Sequence, residues 1–241
     1  MLQELRFAIR SLARQPGFTA VAVLTLALGI GMNTALFSAV EAVFLRPMPY
    51  EGADRLMFLS ASFPGSTRGG DNFSWPDFAD LSEQAGSFEA VAAHHDFSAV
   101  TLTGADEPQR LVANFVSASY FDVFRARAQL GRTFAPEETL VPSSEAVAVL
   151  SDAFWQRQFG ADPSVIGRKL ALNQTPVTVV GVMEPAFRDL QETWRPQVDL
   201  WMPMGLSDAV LGQNMFVNRG GRVFYGVARL GDGVTLQQAR Q

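Results

Sequence analysis

Few side chains in this sequence could carry out chemistry, and the two histidines come first. His94 and His95 are adjacent within a run that predicts a strand. Neighbouring side chains of a strand point to opposite faces, so the pair cannot bind one metal ion in regular geometry. Asp96 shares a face with His94, which permits only a weak two-ligand cluster. We therefore expect both histidines to be surface or partly buried polar residues.

A phosphate-binding loop would be the second source of chemistry. The nearest match to the P-loop pattern begins at Gly160, but six residues instead of four separate it from Gly167. No Ser or Thr follows Lys169, as the pattern requires. This spacing predicts a turn that ends a helix, and no ATPase site.

Nucleophilic chemistry lacks its usual residues as well. The chain has no cysteine, which removes thiolate catalysis and cysteine-based metal sites. It also has no G-x-S-x-G elbow for a serine hydrolase. The acidic pair Glu137-Glu138 is typical of a solvated turn. The sequence therefore predicts no catalytic residue, no cofactor-binding or metal-binding residue, no cofactor, and a protein that is not an enzyme.

Composition narrows the class of protein further. With 48% hydrophobic and 18% charged residues, the chain is not intrinsically disordered. A net charge of −5 argues against nucleic acid as a partner, because a nucleic-acid binder needs a basic face. The positive charge is concentrated at the start, where residues 1–17 contain three arginines and one glutamate.

A long apolar run follows this basic start. Residues 18–40 contain no charged side chain, and as a helix they would span about 34 Å, enough to cross a bilayer. A buried core helix is one alternative, and a cleaved signal peptide is another. The apolar region of a signal peptide has only about 7–15 residues, whereas this run continues beyond Glu41 to Leu45. We therefore favour an uncleaved transmembrane helix over residues 18–45.

Two sets of residues in this region predict contacts with the membrane and with another helix. Small residues every fourth position allow close helix approach, and a nearby amide can bond across. The predicted helix-packing residues are Ala27, Gly31, Asn33, Ala35 and Ala39. Arginines on one side of a short amphipathic helix at 1–17 can meet lipid headgroups. The predicted headgroup contacts are Arg6, Arg10 and Arg14. By the positive-inside rule this basic end lies in the cytoplasm and the main domain outside.

The remainder of the chain alternates strand and helix patterns. A β-α-β unit is predicted at 55–117 and a strand followed by a helix start at 222–241. These would be the two halves of one split sheet layer, interrupted by an insertion at 125–215. Because the last helix begins just before the final residue, we expect the chain to be the front portion of something longer.

Several long stretches resemble one known family, the MacB/FtsX-like ABC transporter permeases, and most closely its large acidobacterial-type orphan permeases. The similarity lies in LRFAIRSLARQPGFTAVAVLTLALGIGMNTALFSAVEAVFLRPMPY, FSWPDFADLSEQAGSFEAVAA, VSASYFDVFRARAQLGRTFAPEE, VAVLSDAFWQRQFGADPSVIGRKLALNQTPVTVVGVMEPAF, DLWMPM and ARLGDGVTLQQARQ. The resemblance implies an α+β fold, with one N-terminal transmembrane helix followed by a MacB-like periplasmic core domain. The expected domains are a cytoplasmic basic helix (1–17), the transmembrane helix (18–45) and a C-terminally incomplete core domain (50–241), itself divided into a porter-like part (50–124 and 216–241) and an inserted smaller α/β lobe (125–215).

The resemblance also implies a function and partners. The chain would be a permease subunit, or a fragment of one, in an efflux or mechanotransmission system of the bacterial inner membrane. A cytoplasmic ABC ATPase would hydrolyse ATP, and a second permease copy or a duplicated half would complete the assembly in the lipid. Two alternatives stay open: a single-span membrane-anchored periplasmic adaptor or ligand-binding module, and a secreted enzyme with an unusual signal peptide. The sequence does not identify a transported substrate.

Overall fold

The structure is a computed structural model that describes residues 14–40, 50–62, 72–104, 107–139, 145–187, 189, 197–211, 216 and 219–239. The chain forms two compact units, Met1–Met48 and Pro49–Gln241. Arg6, Arg10 and the expected end of the span at 41–45 lie outside the described residues, so those predictions stay untested.

The first unit contains helix α1, Pro16–Val40. Proline suits the first turn of a helix because its missing N–H would have no partner there. Within the apolar run, the Thr19 and Thr25 hydroxyls donate to the carbonyls of Gln15 and Val21 at 3.0 and 2.9 Å. These bonds pair hydroxyl groups that would otherwise be costly in lipid. Among the described residues, α1 is the one helix long and apolar enough to cross a membrane.

The second unit mixes helices with strands. Its strands are β1 (Leu56–Leu59), β2 (Phe88–Thr103), β3 (Gln109–Val116), β4 (Ala128–Gly131), β5 (Val147–Leu150), β6 (Lys169–Leu172), β7 (Thr175–Met183), β8 (Leu200–Pro203) and β9 (Tyr225–Leu230). Its helices are α2 (Trp75–Gln84), α3 (Tyr120–Phe124), α4 (Asp152–Phe159), α5 (Ser207–Leu211) and α6 (Leu236–Ala239). Strand β4 and helix α5 had no counterpart in the sequence-based prediction.

One sheet joins all nine described strands, in the order β1-β9-β2-β3-β8-β5-β7-β4, with β6 pairing β2 and β7. Strand β9 lies antiparallel between β1 and β2, which are therefore parallel to each other and connected by α2. This is the split β-α-β arrangement expected from the sequence. Strands β4 to β8, which lie in the range 125–215 where the sequence predicts an inserted lobe, continue the same sheet through the parallel pairing of β3 with β8.

Local sequence signals explain where several elements begin and end. The Ser74 hydroxyl accepts from the Asp77 N–H at 3.3 Å and caps α2. Helix α4 ends at Gly160, whose left-handed conformation (φ 57°) suits a residue without a Cβ. The turn between β6 and β7 places Asn173 and Gln174 at positive φ, as a tight hairpin requires. The turn that ends a helix at Gly160 was predicted from the sequence.

The core covers both faces of the sheet. Alternate residues of β5 separate onto the two faces, Ala148 and Leu150 on one and Val147 and Val149 on the other, and all four are buried. A strand buried on both faces reads as a continuous apolar run. The second face carries a dense aromatic group, in which Phe121 contacts Phe134, Phe187 and Trp201 with ring centroids 5.7 Å apart.

Candidate functional site: the N-terminal clamp and its groove

The first described residues of the domain are held by side chains from several other elements. We call this group the N-terminal clamp; it consists of Tyr50, Glu51, Gly52, Arg55, Glu89, Arg125, Arg229 and Asp232. The Tyr50 ring packs against Phe124 and Phe187, with centroids 4.9 and 6.1 Å apart. The start of the domain is thus seated on the aromatic core and on its surrounding charges.

Arg229 of β9 is the buried centre of the clamp. Its side chain is fully buried, donates from Nε to the Val123 carbonyl at 2.7 Å, and from Nη1 to the Gly52 carbonyl at 3.1 Å. Burial lowers the pKa of Arg229, and the positive charge of Arg125 lowers it further. Its Nη2 has no hydrogen-bond partner among the described residues. This guanidinium therefore joins the end of α3 to Gly52, and among the residues that the structure describes it forms no ion pair.

Two other arginines complete the clamp with carboxylates. Arg55 contacts Glu89 at 2.8 Å and Asp232 at 2.5 Å, and its Nε donates to the Leu230 carbonyl at 2.9 Å. Arg125 contacts Glu89 at 3.1 Å and Glu51 at 3.2 Å. Hydrogen bonding to Glu89 is the main cause that raises the pKa of Arg125. Glu89 of β2 therefore links the residues that precede β1 to the end of α3.

Arg125 and Gly52 adopt left-handed backbone conformations that this arrangement requires. Arg125 has φ 53° directly after α3, and Gly52 has φ 60° directly before a short 3-10 turn. A Cβ added at Gly52 would lie 3.1 Å from Arg229 Nη1. A side chain at this position would press on the guanidinium that the Gly52 carbonyl binds, so glycine is the fitting residue.

A groove of about 1010 Å³ lies beside the clamp. Its lining includes the aromatic residues Tyr50, Phe124 and Phe187 and charged side chains of both signs. The charged lining residues are Glu51, Glu89, Asp122, Glu184, Arg125, Arg127 and Arg132. The lining residues come both from 50–124 and from 125–187, the ranges for which the sequence predicts a porter-like part and an inserted lobe. Its size is in the range of small-molecule pockets.

The acidic pair at 137–138 is not the solvated turn that the sequence predicted. Glu138 is only 5% exposed; its two carboxylate oxygens accept from Arg132 at 2.6 Å each, and Oε2 also accepts from the Ala135 N–H at 2.8 Å. The Arg132 guanidinium holds the pKa of Glu138 below its ordinary value, while burial opposes this shift. The prediction was wrong because the partner arginine lies six residues away across a turn, outside any short motif. Glu137 is exposed, as expected.

One of the two histidines differs from the prediction. His94 is fully buried in β2, with its ring 5.5 Å from the rings of Tyr120 and Tyr225. His95 is half-buried with its Nδ1 3.2 Å from the Ser98 hydroxyl. The side chain of Asp96 lies outside the described residues. Within the described part of the chain no cluster of three or more metal-ligating residues occurs.

The other predicted positions lie in α1 or at turns. Ala27, Gly31, Asn33 and Ala35 are exposed on α1, at the spacing that places the small residues on one side of a helix. Ala39 belongs to the same helix, and Arg14 lies exposed just before it. Whether another helix or lipid contacts these residues stays a prediction. The turn after Gly160 ends α4, as expected, and leads through a 3-10 turn to β6.

The clamp and the groove could not be found from motifs. Arg229, Glu89 and Arg125 are far apart along the chain and show no spacing that a pattern could detect. The one usable signal was the left-handed tendency of Gly52, which marks a turn and nothing more.

Comparison with known proteins identifies the family to which this fold belongs. The chain matches the family model described as the MacB-like periplasmic core domain over residues 19–241. The chain therefore belongs to this family, whose domains are periplasmic parts of ABC-type transporter permeases. Such permeases in general work with cytoplasmic ABC ATPase partners. None of the curated proteins matches the chain.

Two solved structures are similar to it in fold. The periplasmic region of MacB from Actinobacillus actinomycetemcomitans superimposes with a TM-score of 0.57 and 17% identity, over 77% of this chain and 78% of that chain. The extracellular domain of the noncanonic ABC-type transporter YknZ from Gram-positive bacteria gives a TM-score of 0.53 and 17% identity, over 76% of this chain and 86% of that chain. At this level of identity the likeness shows the fold alone.

Proposed function

We propose that the chain is a permease subunit, or a fragment of one, of a MacB/FtsX-like efflux or mechanotransmission system. In this proposal a cytoplasmic ABC ATPase hydrolyses ATP, and the resulting movement of the permease helices reaches the periplasmic domain. The chain itself binds no ATP and catalyses no reaction. Its contribution is mechanical.

The N-terminal clamp is the observation that carries this proposal. The clamp holds Tyr50, Glu51, Gly52 and Arg55, the part of the domain that follows α1 along the chain. A pull on Gly52 acts directly on the Arg229 guanidinium and through it on the Val123 carbonyl of α3. A pull on Arg55 acts on Glu89 of β2 and on the Leu230 carbonyl of β9. Force applied at Gly52 and Arg55 would therefore reach α3 and the strands β2 and β9.

The membrane part of the proposal depends on α1. We propose that α1 spans the inner membrane with the N-terminus in the cytoplasm, that Arg6, Arg10 and Arg14 contact lipid headgroups, and that the small residues of α1 pack against a second permease copy or a duplicated half. Apolar length, small-residue spacing and the basic N-terminal stretch support these points.

The topology can be tested with single cysteines, because the chain has none of its own. Glu83→Cys places a thiol on the exposed side of α2, and Gln3→Cys places one before the membrane helix. In spheroplasts a membrane-impermeant maleimide should label Glu83→Cys at once and Gln3→Cys only after detergent lysis. The reverse pattern would place the domain in the cytoplasm and contradict the proposal. Release of the protein by alkaline washing of membranes would contradict the transmembrane helix.

The ATPase partner can be tested by affinity purification from membranes in mild detergent. We expect an ABC ATPase subunit to co-purify, and its ATP hydrolysis to change when the permease is present. A Gly31→Leu variant, which blocks close helix approach, should reduce recovery of a second permease copy while the domain stays folded. If repeated purifications from native membranes recover the permease without any ATPase, that result would contradict the proposed coupling to ATP hydrolysis.

The groove favours a second candidate function, a single-span membrane-anchored periplasmic adaptor or ligand-binding module. Aromatic and charged lining residues around about 1010 Å³ are features of a binding site. The two functions differ in one readout. An adaptor would bind its ligand at full affinity without an ATPase, whereas a transport subunit would show ligand binding or release that depends on ATP.

A further inference from the structure

The pairing of β3 with β8 is the longer of two described backbone links between the porter-like part and the inserted lobe; we call it the seam. It pairs four residues of β3 with four residues of β8 in parallel, from Ala113 with Leu200 to Val116 with Pro203. Parallel pairing is slightly less stable per residue, and proline has no N–H to donate. The other link, between β2 and β6, pairs two residues. Because both links are short, the side chains around the seam matter for its strength.

Asp189 ties the two sides of the seam together. Its Oδ2 accepts hydrogen bonds from Asn114 Nδ2 at 2.8 Å and from Trp201 Nε1 at 3.0 Å. Asn114 and Trp201 are direct partners across the seam, so one carboxylate oxygen holds a strand on each side. The Tyr120 hydroxyl of α3 donates a third hydrogen bond to the same oxygen at 2.9 Å. Asp189 is 3% exposed and the three donor residues are fully buried.

Burial of the Asp189 carboxylate costs free energy of folding. Oδ1 of Asp189 is buried and has no hydrogen-bond partner among the described residues. A buried polar atom without a partner destabilises a fold, and a buried carboxylate does so more than a neutral group. An apolar cluster in the same place would hold the core without that cost. The carboxylate therefore supplies something that an apolar residue does not, namely directional bonds to three separate elements.

The same carboxylate joins two chain segments that line the groove. Phe124, at the end of α3, and Phe187 both line it, and their ring centroids lie 5.7 Å apart. Tyr120 lies one turn before Phe124 in α3, and Asp189 lies two residues after Phe187. The Tyr120–Asp189 hydrogen bond therefore ties together the two segments that bring these rings to the groove.

We propose that Asp189 is a positioning residue that fixes the angle between the porter-like part and the inserted lobe, and with it the width of the groove. The proposal rests on the proposed function, since a force that reaches α3 must act on the joint between α3 and the lobe beyond it. We expect that removal of one hydrogen bond to this carboxylate raises the population of molecules with a wider groove by about fivefold to tenfold.

The test measures the distance between two spin labels on the full chain in detergent micelles. Labels at Glu83→Cys in α2 and Gln156→Cys in α4 report on the two sides of the seam, and both native residues are exposed. Asp189→Asn removes the charge and puts a buried NH₂ in the place of one oxygen. Tyr120→Phe removes a single hydroxyl and leaves the aromatic packing in place. Tyr225→Phe is the matched control, because its ring also packs on His94 and its hydroxyl has no hydrogen bond within the described residues.

We expect a single narrow distance distribution for the parent and for Tyr225→Phe, and a broadened or shifted one for Asp189→Asn and Tyr120→Phe. A merely structural role would lower the melting temperature and leave the distance distribution of the folded protein unchanged; that result would overturn the proposal. If Asp189→Asn does not fold, Tyr120→Phe decides. The measurement needs no ATPase, so a negative result here is distinct from a failure to find the ATPase partner.

Discussion

Replacement of Glu138 by glutamine tests the electrostatics at the edge of the groove. The glutamine has the same shape and keeps one oxygen, which can still accept from the Ala135 N–H. Its NH₂ group, however, would face the Arg132 guanidinium, where the carboxylate now accepts two hydrogen bonds of 2.6 Å. A donor would then point at a donor, and the charge that neutralises the arginine would be gone.

The magnitude follows from the exposure of the two partners. Hydrogen bonds to charged groups contribute about 1.5–3 kcal/mol each, but a surface ion pair contributes less than about 1 kcal/mol. Glu138 has a side chain that is 6% exposed, whereas that of Arg132 is 54% exposed. Because water can solvate the arginine after the substitution, we expect a loss of about 2 kcal/mol in unfolding free energy at neutral pH. For a domain of this size that corresponds to a decrease of about 4–8 °C in Tm.

The loss should depend on pH in a direction set by the pKa of Glu138. The Arg132 hydrogen bond lowers this pKa in the folded protein from its ordinary value of 4.5. A carboxyl group with a lowered folded pKa stabilises the fold above its unfolded pKa, and this contribution is lost as the pH falls toward the folded value. The parent and Glu138→Gln should therefore differ most at neutral pH, and the difference should shrink below about pH 4.5.

The assay is thermal unfolding of the full chain in a non-ionic detergent, followed by tryptophan fluorescence at neutral and at acidic pH. Glu137→Gln is the control, because this neighbouring side chain is exposed; its Tm should change by less than about 2 °C. An equal difference between parent and Glu138→Gln at both pH values would show that shape, and not charge, determines the effect. No difference at neutral pH would refute the ion-pair argument altogether.

Three further substitutions have expected outcomes, each measured by the same unfolding assay. Gly181→Ala should destabilise the fold by more than about 2 kcal/mol, because its Cβ would lie 2.0 Å from the Arg132 carbonyl oxygen; a normal Tm would contradict this contact. Ser74→Ala should cost about 1 kcal/mol through loss of the cap on the Asp77 N–H, and Ser74→Asn should restore it. Arg229→Met loses two hydrogen bonds but also removes a buried charge, so we expect a net loss of about 1–2 kcal/mol; stabilisation would show that the guanidinium is kept for function.

Local features of the domain were predictable from the sequence because their causes are local. The Ser74 cap, the left-handed Gly160 and the hairpin turn at Asn173 depend on residues within four positions of each other. The split sheet was predictable because a strand pattern at 222–230 needs partners, and the early β-α-β unit offers a place between its strands. Strand β4 was missed because it has four residues and its pairing with β7 depends on tertiary position.

The groups that distinguish this domain were not predictable, for one physical reason. Glu138, Asp189 and Arg229 are charged residues, a type that is normally absent from the interior of a protein. Partners from distant parts of the chain hold Asp189 and Arg229, and the partner of Glu138 lies six residues away, outside any short motif. A sequence pattern assigns such residues to the surface, as it did for Glu138. The partners become visible only when the strands are in register.

The buried charges of Asp189 and Arg229 suggest how this domain can respond to force. Apolar contacts lose stability gradually as surfaces slide, because dispersion and burial depend on area. A hydrogen bond depends steeply on distance and angle, so a bond such as Arg229 to Gly52 or Tyr120 to Asp189 is either made or broken. The first lies where the chain joins the domain, and the second lies where the porter-like part meets the inserted lobe. Helix α3 contains the acceptor Val123 and the donor Tyr120, and therefore connects the two. We infer that a displacement of Gly52 acts on Arg229 and through it on Val123 of α3, and that a shift of α3 would weaken the Tyr120–Asp189 bond. Measurement of the spin-label distance in Arg229→Met tests this order. A wider distance distribution in that variant, in which Asp189 is unchanged, would mean that the clamp acts on the seam.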